Sequence, residues 1–276
     1  MLLSLPVSAY HASLVADDDA LYVLTSSRAY RLSPEGQAAD MPLDLGFGAT
    51  TSSSAFVFWS EGAVFAAPKG GGEARRIVPL AARPELFAAS GDELAWLERT
   101  DARSAVHGMV KGKAKKLYAS PGSLDALAML GDTAFFVERP GASSWRIGSV
   151  RTTSDAQARF TAERTGRAPS MLVARESGLF YYDGNRLEVR RLSLDLSREA
   201  TLASDFVCSP LAVTKYVYCA RVEGLFELAE GAAPRLVVPG VAGVLATELA
   251  ATSRYLAWIA DVGEDKLEVR VVELPR

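Results

Sequence analysis

Polar and charged side chains follow seven short apolar runs along this chain, and they are its best candidates for chemistry. The residues directly after the runs are Thr25, Ser60, Glu98, Glu138, Asp183, Arg221 and Ala260, with Asp261 one position later. Arg99, Arg139, Trp145 and Arg186 lie in the segments that follow. Mixed charge beside an exposed aromatic side chain is typical of a ligand or partner surface. The other interpretation is that strand ends are polar because they leave the core.

We call the residues directly after the seven runs the post-strand column. Three carboxylates in this column raise the question of catalysis. Glu98, Glu138 and Asp183 could act as the general acid and base of a hydrolase or lyase. The Gly-x-Ser-x-Gly motif of serine hydrolases is absent from the sequence. An enzyme needs such a carboxylate deep in a concave pocket, whereas a binding face is broad and shallow. We expect a non-enzymatic binding or scaffold protein, with the hydrolase or lyase as the alternative.

Metal-ligating residues are scarce in this sequence. It contains two histidines, His11 and His107, whereas a site built on imidazole usually needs several. The triplet Asp17, Asp18 and Asp19 could bind calcium, which prefers oxygen ligands. The matched positions of other repeats are simple turns, such as Gly91-Asp92, so a turn is the other interpretation. Beyond this cation candidate we expect no metal and no cofactor.

The two cysteines lie close enough in sequence to meet across neighbouring strands. Cys208 and Cys219 fall on two strands predicted to pair through a turn at Thr214-Lys215. A disulfide forms where the two Cα atoms lie about 4.4 to 6.8 Å apart. A cross-strand disulfide and two free buried thiols both fit this pattern. The bonded form would indicate an oxidising compartment.

The runs that position these residues recur through the whole chain. They begin at residues 21, 56, 94, 134, 179, 217 and 256, so that the repeat is about 39 residues long. Both alternating sets of side chains are apolar, as in Phe56-Val57-Phe58-Trp59. A strand that is apolar on both faces must be covered on both faces. The pattern therefore predicts an all-β, seven-bladed β-propeller of four-stranded antiparallel blades, in one domain over residues 1–276.

The two ends of the chain complement each other in this prediction. The seventh repeat ends after its third strand, Leu267 to Leu274, and lacks a fourth. The first repeat is preceded by an extra strand-like piece, Leu2 to Val7. We expect this piece to pair with the last blade and to close the ring of blades, which protects sheet edges.

The second repeat resembles the bacterial TolB-like and YWTD-like propeller proteins. It reads Phe56-Val57-Phe58-Trp59-Ser60-Glu61-Gly62-Ala63-Val64-Phe65-Ala66-Ala67-Pro68-Lys69-Gly70-Gly71-Gly72. The repeat at Leu179-Phe180-Tyr181-Tyr182-Asp183-Gly184-Asn185 keeps the aromatic strand and the turn. Those families are often six-bladed, so six blades is the alternative to seven. The resemblance implies a secreted or envelope-associated bacterial scaffold.

Composition limits the partners and the compartment. Apolar residues make up 49% of the 276 residues, charged residues 23%, and the net charge is −3. A nucleic-acid binder would need a concentrated basic surface, so we expect a protein or glycan partner instead. No apolar run approaches the length of about 20 residues that spans a bilayer. We expect a periplasmic or secreted protein whose signal peptide lies outside the printed sequence, with a cytoplasmic protein as the alternative.

Overall fold

The structure is a computed structural model whose described residues carry strands as their only long regular elements. It describes residues 2–5, 13–17, 20–25, 29–32, 38–41, 47–51, 54–80, 83–100, 103–110, 112–153, 157–208, 211–239, 246–261 and 267–274. No helix in these ranges is long and apolar enough to cross a membrane. The strands form seven antiparallel sheets, or blades. The fold is therefore a seven-bladed β-propeller, as the repeat predicts, and the six-bladed alternative is wrong.

The chain divides into two compact units, Met1–Gly46 with Leu202–Arg276, and Phe47–Thr201. The prediction of one domain over residues 1–276 stays a prediction. In each complete blade, four strands follow one another in the sheet, here called a to d in chain order.

The unit Phe47–Thr201 carries blades 2 to 5, except for the last two residues of blade 5. Blade 2 is β6 (Phe47–Thr51), β7 (Ala55–Ser60), β8 (Ala63–Pro68) and β9 (Arg75–Pro79). Blade 3 is β10 (Leu86–Ser90), β11 (Glu93–Thr100), β12 (Arg103–Val110) and β13 (Lys113–Ser120). Blade 4 is β14 (Ser123–Leu130), β15 (Thr133–Gly141), β16 (Ser144–Arg151) and β17 (Arg159–Phe160), with β18 (Arg164–Thr165) also pairing with β16. Blade 5 is β19 (Val173–Arg175), β20 (Gly178–Asp183), β21 (Glu188–Leu192) and β22 (Glu199–Ala203).

The other unit carries blades 1, 6 and 7. Blade 1 is β2 (Ser13–Ala16), β3 (Leu21–Leu24), β4 (Ala29–Leu32) and β5 (Ala38–Met41). Blade 6 is β23 (Leu211–Val213), β24 (Val217–Arg221), β25 (Gly224–Leu228) and β26 (Arg235–Pro239). Blade 7 is β27 (Ala246–Ala251), β28 (Tyr255–Asp261) and β29 (Leu267–Glu273), completed by β1 (Leu2–Leu5).

The N-terminal strand supplies the fourth strand of blade 7, as its sequence predicts. Strand β1 pairs antiparallel with β29, in a register that sets Leu2 opposite Arg270 and Leu5 opposite Leu267. The edge of β29 is thereby hydrogen-bonded rather than open to another chain. The two ends of the chain are thus joined in one sheet within one unit.

All seven apolar runs form part of the second strand of their blades, and all their residues are buried except Trp59 and Tyr182, which are half-buried. Phe56, Trp96 and Phe136 are fully buried examples from three successive blades. Side chains on the two faces of these strands pack against different neighbours. In blade 4, Phe136 belongs to a cluster shared with blade 3, whereas Phe135 belongs to one shared with blade 5. Burial on both faces explains why the runs do not alternate with polar residues.

Candidate binding face at the b–c connections

The ends of strands β11 and β15, just before their b–c connections, bring two of the predicted arginines to one aspartate. The Arg99 guanidinium lies 3.2 Å from the Glu85 carboxylate and 4.0 Å from that of Asp125. The Arg139 guanidinium pairs with the same Asp125 carboxylate, which raises the pKa of Arg139 through the hydrogen bond. We call Glu85, Arg99, Asp125 and Arg139 the arginine patch. It joins the ends of blades 3 and 4 within one unit.

The arginine patch is solvent-accessible above a more buried acid. The side chains of Arg99 and Arg139 are 46% and 45% exposed, whereas that of Asp125 is 13% exposed. Arg99 also donates a hydrogen bond to the Leu124 carbonyl, at 3.4 Å. The guanidinium groups are therefore held in place while much of their surface remains open. Such oriented arginines can contact carboxylates or carbonyl groups of a partner.

Glu98, a third predicted residue, is partly exposed and lies beside His107. The His107 Nε2 atom lies 3.5 Å from a Glu98 carboxylate oxygen. The imidazole ring stacks on Trp96, with the ring centroids 5.5 Å apart. Burial lowers the pKa of His107, an effect that Glu98 opposes. The imidazole is therefore mainly neutral at pH 7 and packs as an aromatic ring in strand c of blade 3.

Glu138 is fully buried, so it is not part of an exposed face as the column predicts. Its carboxylate accepts hydrogen bonds from the Tyr118 and Ser120 hydroxyls, both at 2.6 Å. The Arg146 Nε donates to the other oxygen at 2.7 Å. Strand β15 continues past Glu138 to Gly141, which keeps this side chain inside the packing of blades 3 and 4. The carboxylate links strand d of one blade to strands b and c of the next.

The Arg146 guanidinium is supported from two sides. It lies over the Phe160 ring at 3.8 Å from the centroid, while its Nε holds Glu138. Phe160 in turn packs edge-on against Phe136. Gly148 makes this packing fit, since a Cβ atom there would lie 2.5 Å from the Phe136 ring. Arg146 was not among the predicted residues, although it lies one position after Trp145.

Trp145 and Asp183 are also buried, whereas the sequence pattern predicts that they belong to an exposed partner surface. Trp145 lies in strand β16 and is buried, edge-on to Tyr181 of blade 5. It is buried because strand c begins at Ser144, so that the ring lies between two blades rather than in a loop. Asp183 is buried at the end of β20, where its Oδ1 accepts hydrogen bonds from the Asn185 and Arg186 backbone N–H groups. It stabilises its own turn.

A second, partly buried network in blades 4 and 5 was not predicted from the sequence. The Arg164 guanidinium donates to the Tyr181 hydroxyl at 2.6 Å and pairs with Glu199 at 2.9 Å. The Tyr181 hydroxyl donates to the same Glu199 carboxylate, and Arg190 pairs with it from strand c. The pKa of Tyr181 is raised, mainly by burial and to a lesser extent by the hydrogen bond to Glu199. No periodic signal could reveal these contacts, because Glu199 and Arg164 come from irregular edges of their blades.

The remaining predicted residues lie apart from the arginine patch. Arg186 is exposed in the b–c connection of blade 5. Arg221, in the other unit, pairs with Glu223 at 3.2 Å and lies over the Phe206 ring at 4.5 Å. Asp261 is the last residue of strand β28. The structure describes its backbone but not its side chain.

The cation candidate is only partly described. Asp18 and Asp19 lie outside the described residues, as does His11. The Asp17 Oδ1 accepts a hydrogen bond from the Ala20 N–H at 2.8 Å, and the Asp17 N–H donates to the Ala20 carbonyl at 3.0 Å. Asp17 therefore caps the turn between strands a and b. In the described part of the chain, no three His, Cys, Asp or Glu residues are grouped as metal ligands.

The structure joins Cys208 and Cys219 in a disulfide. Their Cα atoms lie 5.5 Å apart, and both side chains are fully buried. The bond ties the segment that enters blade 6 to strand b of that blade.

Comparisons with known proteins identify the fold class of this chain but no family to which it belongs. No family model matches the chain, and no curated protein matches it. A catalytically inactive histidine-to-alanine variant of virginiamycin B lyase from Staphylococcus aureus, solved with quinupristin, is 12% identical at a TM-score of 0.66, covering 99% of each chain. A protein assigned as TolB from Agrobacterium tumefaciens is 15% identical at 0.54, covering 96% of this chain and 90% of that one.

A chain of the mitotic checkpoint complex is also similar in structure. It is 11% identical at a TM-score of 0.63, and the match covers 99% of this chain and 93% of that one. At these identities the similarities establish the β-propeller class of fold. They include a TolB structure, in agreement with the resemblance found in the second repeat.

Proposed function

We propose that this protein is a non-enzymatic binding propeller that holds a protein partner on the arginine patch. The observation that carries the proposal is the convergence of Arg99 and Arg139, from two successive blades, on one partly buried carboxylate. Arginine is enriched at protein interfaces and contributes strongly where it is oriented before binding. The ion pairs with Asp125 and Glu85 provide that orientation here.

The environment of two of the three predicted carboxylates, Glu138 and Asp183, supports binding over catalysis. Glu138 accepts three hydrogen bonds from residues of blades 3 and 4, and Asp183 caps its own turn. A general acid or base must reach the proton that it transfers. Glu138 instead holds neighbouring strands together, and Asp183 stabilises its own turn.

Two further observations support the class of function and the compartment. The mitotic checkpoint complex is an assembly of proteins, so a similar propeller serves within a protein complex. Fold-level similarity of this kind raises the expectation of binding without naming the partner. The disulfide between Cys208 and Cys219 supports an oxidising compartment, hence a periplasmic or secreted protein.

The proposal is tested by reversing the charge of the patch. We expect the variant Arg99→Glu/Arg139→Glu to lose a partner that wild type captures from an envelope extract, as measured by quantitative mass spectrometry. Because the Asp125 side chain is only 13% exposed and loses its cations, a thermal melt of the variant establishes that it is folded before capture is compared. The matched control, Arg159→Glu/Arg198→Glu, changes the same charge at exposed arginines away from the patch and should capture the partner like wild type.

Two results would contradict the proposal. Equal capture by wild type and the patch variant would remove the patch from the interface. Capture that disappears after periodate oxidation of glycans in the extract would assign the face to carbohydrate rather than to protein.

A further inference from the structure

A cavity between blades 2 and 3 lies at the other end of their strands from the arginine patch. Its volume is about 770 Å³, within the range of about 300 to 1,000 Å³ that is usual for small-molecule sites. Its lining includes Asp92 and Glu93, where β11 begins, whereas Arg99 lies near the end of β11. Both blades belong to one unit. We call this space the interblade cavity.

The floor of the interblade cavity is apolar. Val57 of blade 2 and Leu94 of blade 3 line it, and both are buried in the hydrophobic cluster between these blades. Ile77 and Met109 line it too and are packed against the same cluster. An apolar ligand in this space would replace water against side chains that already belong to the core.

A small residue and a bulge account for the open space. Ala89 lines the cavity opposite Leu94 in the β10–β11 pairing. The matched position of blade 4 is Met129, which is buried in the next interblade cluster. Strand β9 bulges at Ile77, because Val78 pairs with Val64 and Arg76 with Phe65. The bulge breaks the alternation of side chains, so that Ile77 and Val78 both pack against the cluster. Arg75 and Arg76, which pair in regular register with Ala66 and Phe65, also line the cavity.

The rim of the cavity carries two unpaired cations. Arg75 and Arg76 are exposed and have no ion-pair partner within the described part of the chain. On the opposite wall, Glu93 accepts a hydrogen bond from the Thr152 hydroxyl at 2.8 Å, and Asp92 also has an internal partner. Both acidic groups therefore have partners within the protein, whereas the two guanidinium groups of the other wall have no ion-pair partner among the described residues.

We propose that the interblade cavity binds a small amphipathic carboxylate. Its apolar body packs on Val57, Leu94 and Met109, and its carboxylate pairs with Arg75 and Arg76. Guanidinium groups bind carboxylates through paired charge-assisted hydrogen bonds, which are stronger than neutral ones. The site is separate from the arginine patch, so its ligand and the protein partner can be tested independently.

The proposal is tested by calorimetric titration of the full chain with decanoate and with decan-1-ol. We expect saturable binding of decanoate at concentrations up to about 1 mM, and binding of the alcohol at least about tenfold weaker because it lacks the charge. Arg75→Gln/Arg76→Gln should weaken decanoate binding by about tenfold or more, toward the affinity of the alcohol. The matched control, Arg159→Gln/Arg198→Gln, should bind decanoate like wild type.

A second variant tests the location of the ligand independently of charge. Ala89→Met places in blade 3 the residue that blade 4 has at the matched position, so it should fill the cavity and abolish binding of both ligands without lowering the melting temperature. Absence of saturable decanoate binding to wild type would overturn the proposal. Equal affinity for acid and alcohol, or unchanged binding by the double glutamine variant, would overturn recognition of the anion by Arg75 and Arg76.

Discussion

Breaking the contact between Glu138 and Arg146 should destabilise the protein more than any exposed ion pair does. Arg146→Met keeps an apolar chain over Phe160 but leaves the Glu138 carboxylate, which is 0% exposed, without its cation. Removing one partner of a buried pair typically costs about 3 to 5 kcal/mol. For a chain of this size, each kcal/mol lowers the melting temperature by about 2 to 4 °C, so we expect it to fall by about 6 to 20 °C.

The reciprocal change should cost less, for a reason visible in the geometry. In Glu138→Gln, the amide oxygen can still accept from Tyr118 and Ser120, and the amide nitrogen then faces the Arg146 Nε. One charge-assisted hydrogen bond is lost, at about 1.5 to 3 kcal/mol. The Arg146 side chain is 28% exposed, so water partly compensates its charge. We expect a destabilisation of about 2 to 3 kcal/mol.

Urea denaturation of the two single variants and the double variant measures the coupling between these residues. The double variant should be more stable than the sum of the single changes predicts, by at least about 1 kcal/mol. The control is Glu273→Gln, in an ion pair with Arg254 whose two side chains are 52% and 56% exposed; it should change stability by less than about 1 kcal/mol. Single variants within about 0.5 kcal/mol of wild type, or additive effects, would refute this account of the buried pair.

Three further predictions concern titration and covalent cross-linking. Burial, the larger cause, and the hydrogen bond to Glu138, the smaller one, raise the pKa of Tyr118 to about 12. In an absorbance titration at alkaline pH, Tyr118→Phe should therefore lose one tyrosine that ionises late. Loss of a tyrosine that ionises at its ordinary pH would contradict this. The second prediction concerns Glu248, whose pKa is raised by burial from its ordinary value of 4.5 to about 7. The folded state therefore binds that proton more tightly than the unfolded state, and stability falls as pH rises from about 4.5 to 7. Glu248→Gln should flatten this slope in melts at several pH values, and an unchanged slope would exclude Glu248 as its source. Cys208→Ser/Cys219→Ser should lower the free energy of unfolding by about 2 to 4 kcal/mol, and an unaltered denaturation midpoint would contradict a stabilising disulfide.

The seven strands b could be predicted from sequence because burial on both faces has a local signature. Runs such as Phe56-Val57-Phe58-Trp59 are apolar at every position, and each run lies within the second strand of its blade. The completion of blade 7 by the N-terminal strand was also predictable. One repeat lacks a strand and another has one in surplus, so that counting alone pairs Leu2–Leu5 with Leu267–Glu273.

The candidate face was predicted only in part, because burial at strand ends depends on the neighbouring blade. Glu98, Glu138 and Asp183 occupy the same position of their repeats. Glu138 is buried because Tyr118 and Ser120 of the preceding blade approach it, whereas Asp183 is buried by its own turn. The arginine patch includes Asp125, which lies outside the column in strand a of blade 4. Contacts between different repeats leave no period in the sequence.

Hydrogen–deuterium exchange of the protein with its captured partner is the most direct test of the arginine patch as a binding face. We expect the partner to slow exchange in the b–c connections that follow Arg99 and Arg139, and to leave the turns before Glu93 and Thr133, at the other end of the same blades, unchanged. Protection confined to those a–b turns, with the b–c connections unaffected, would contradict the account.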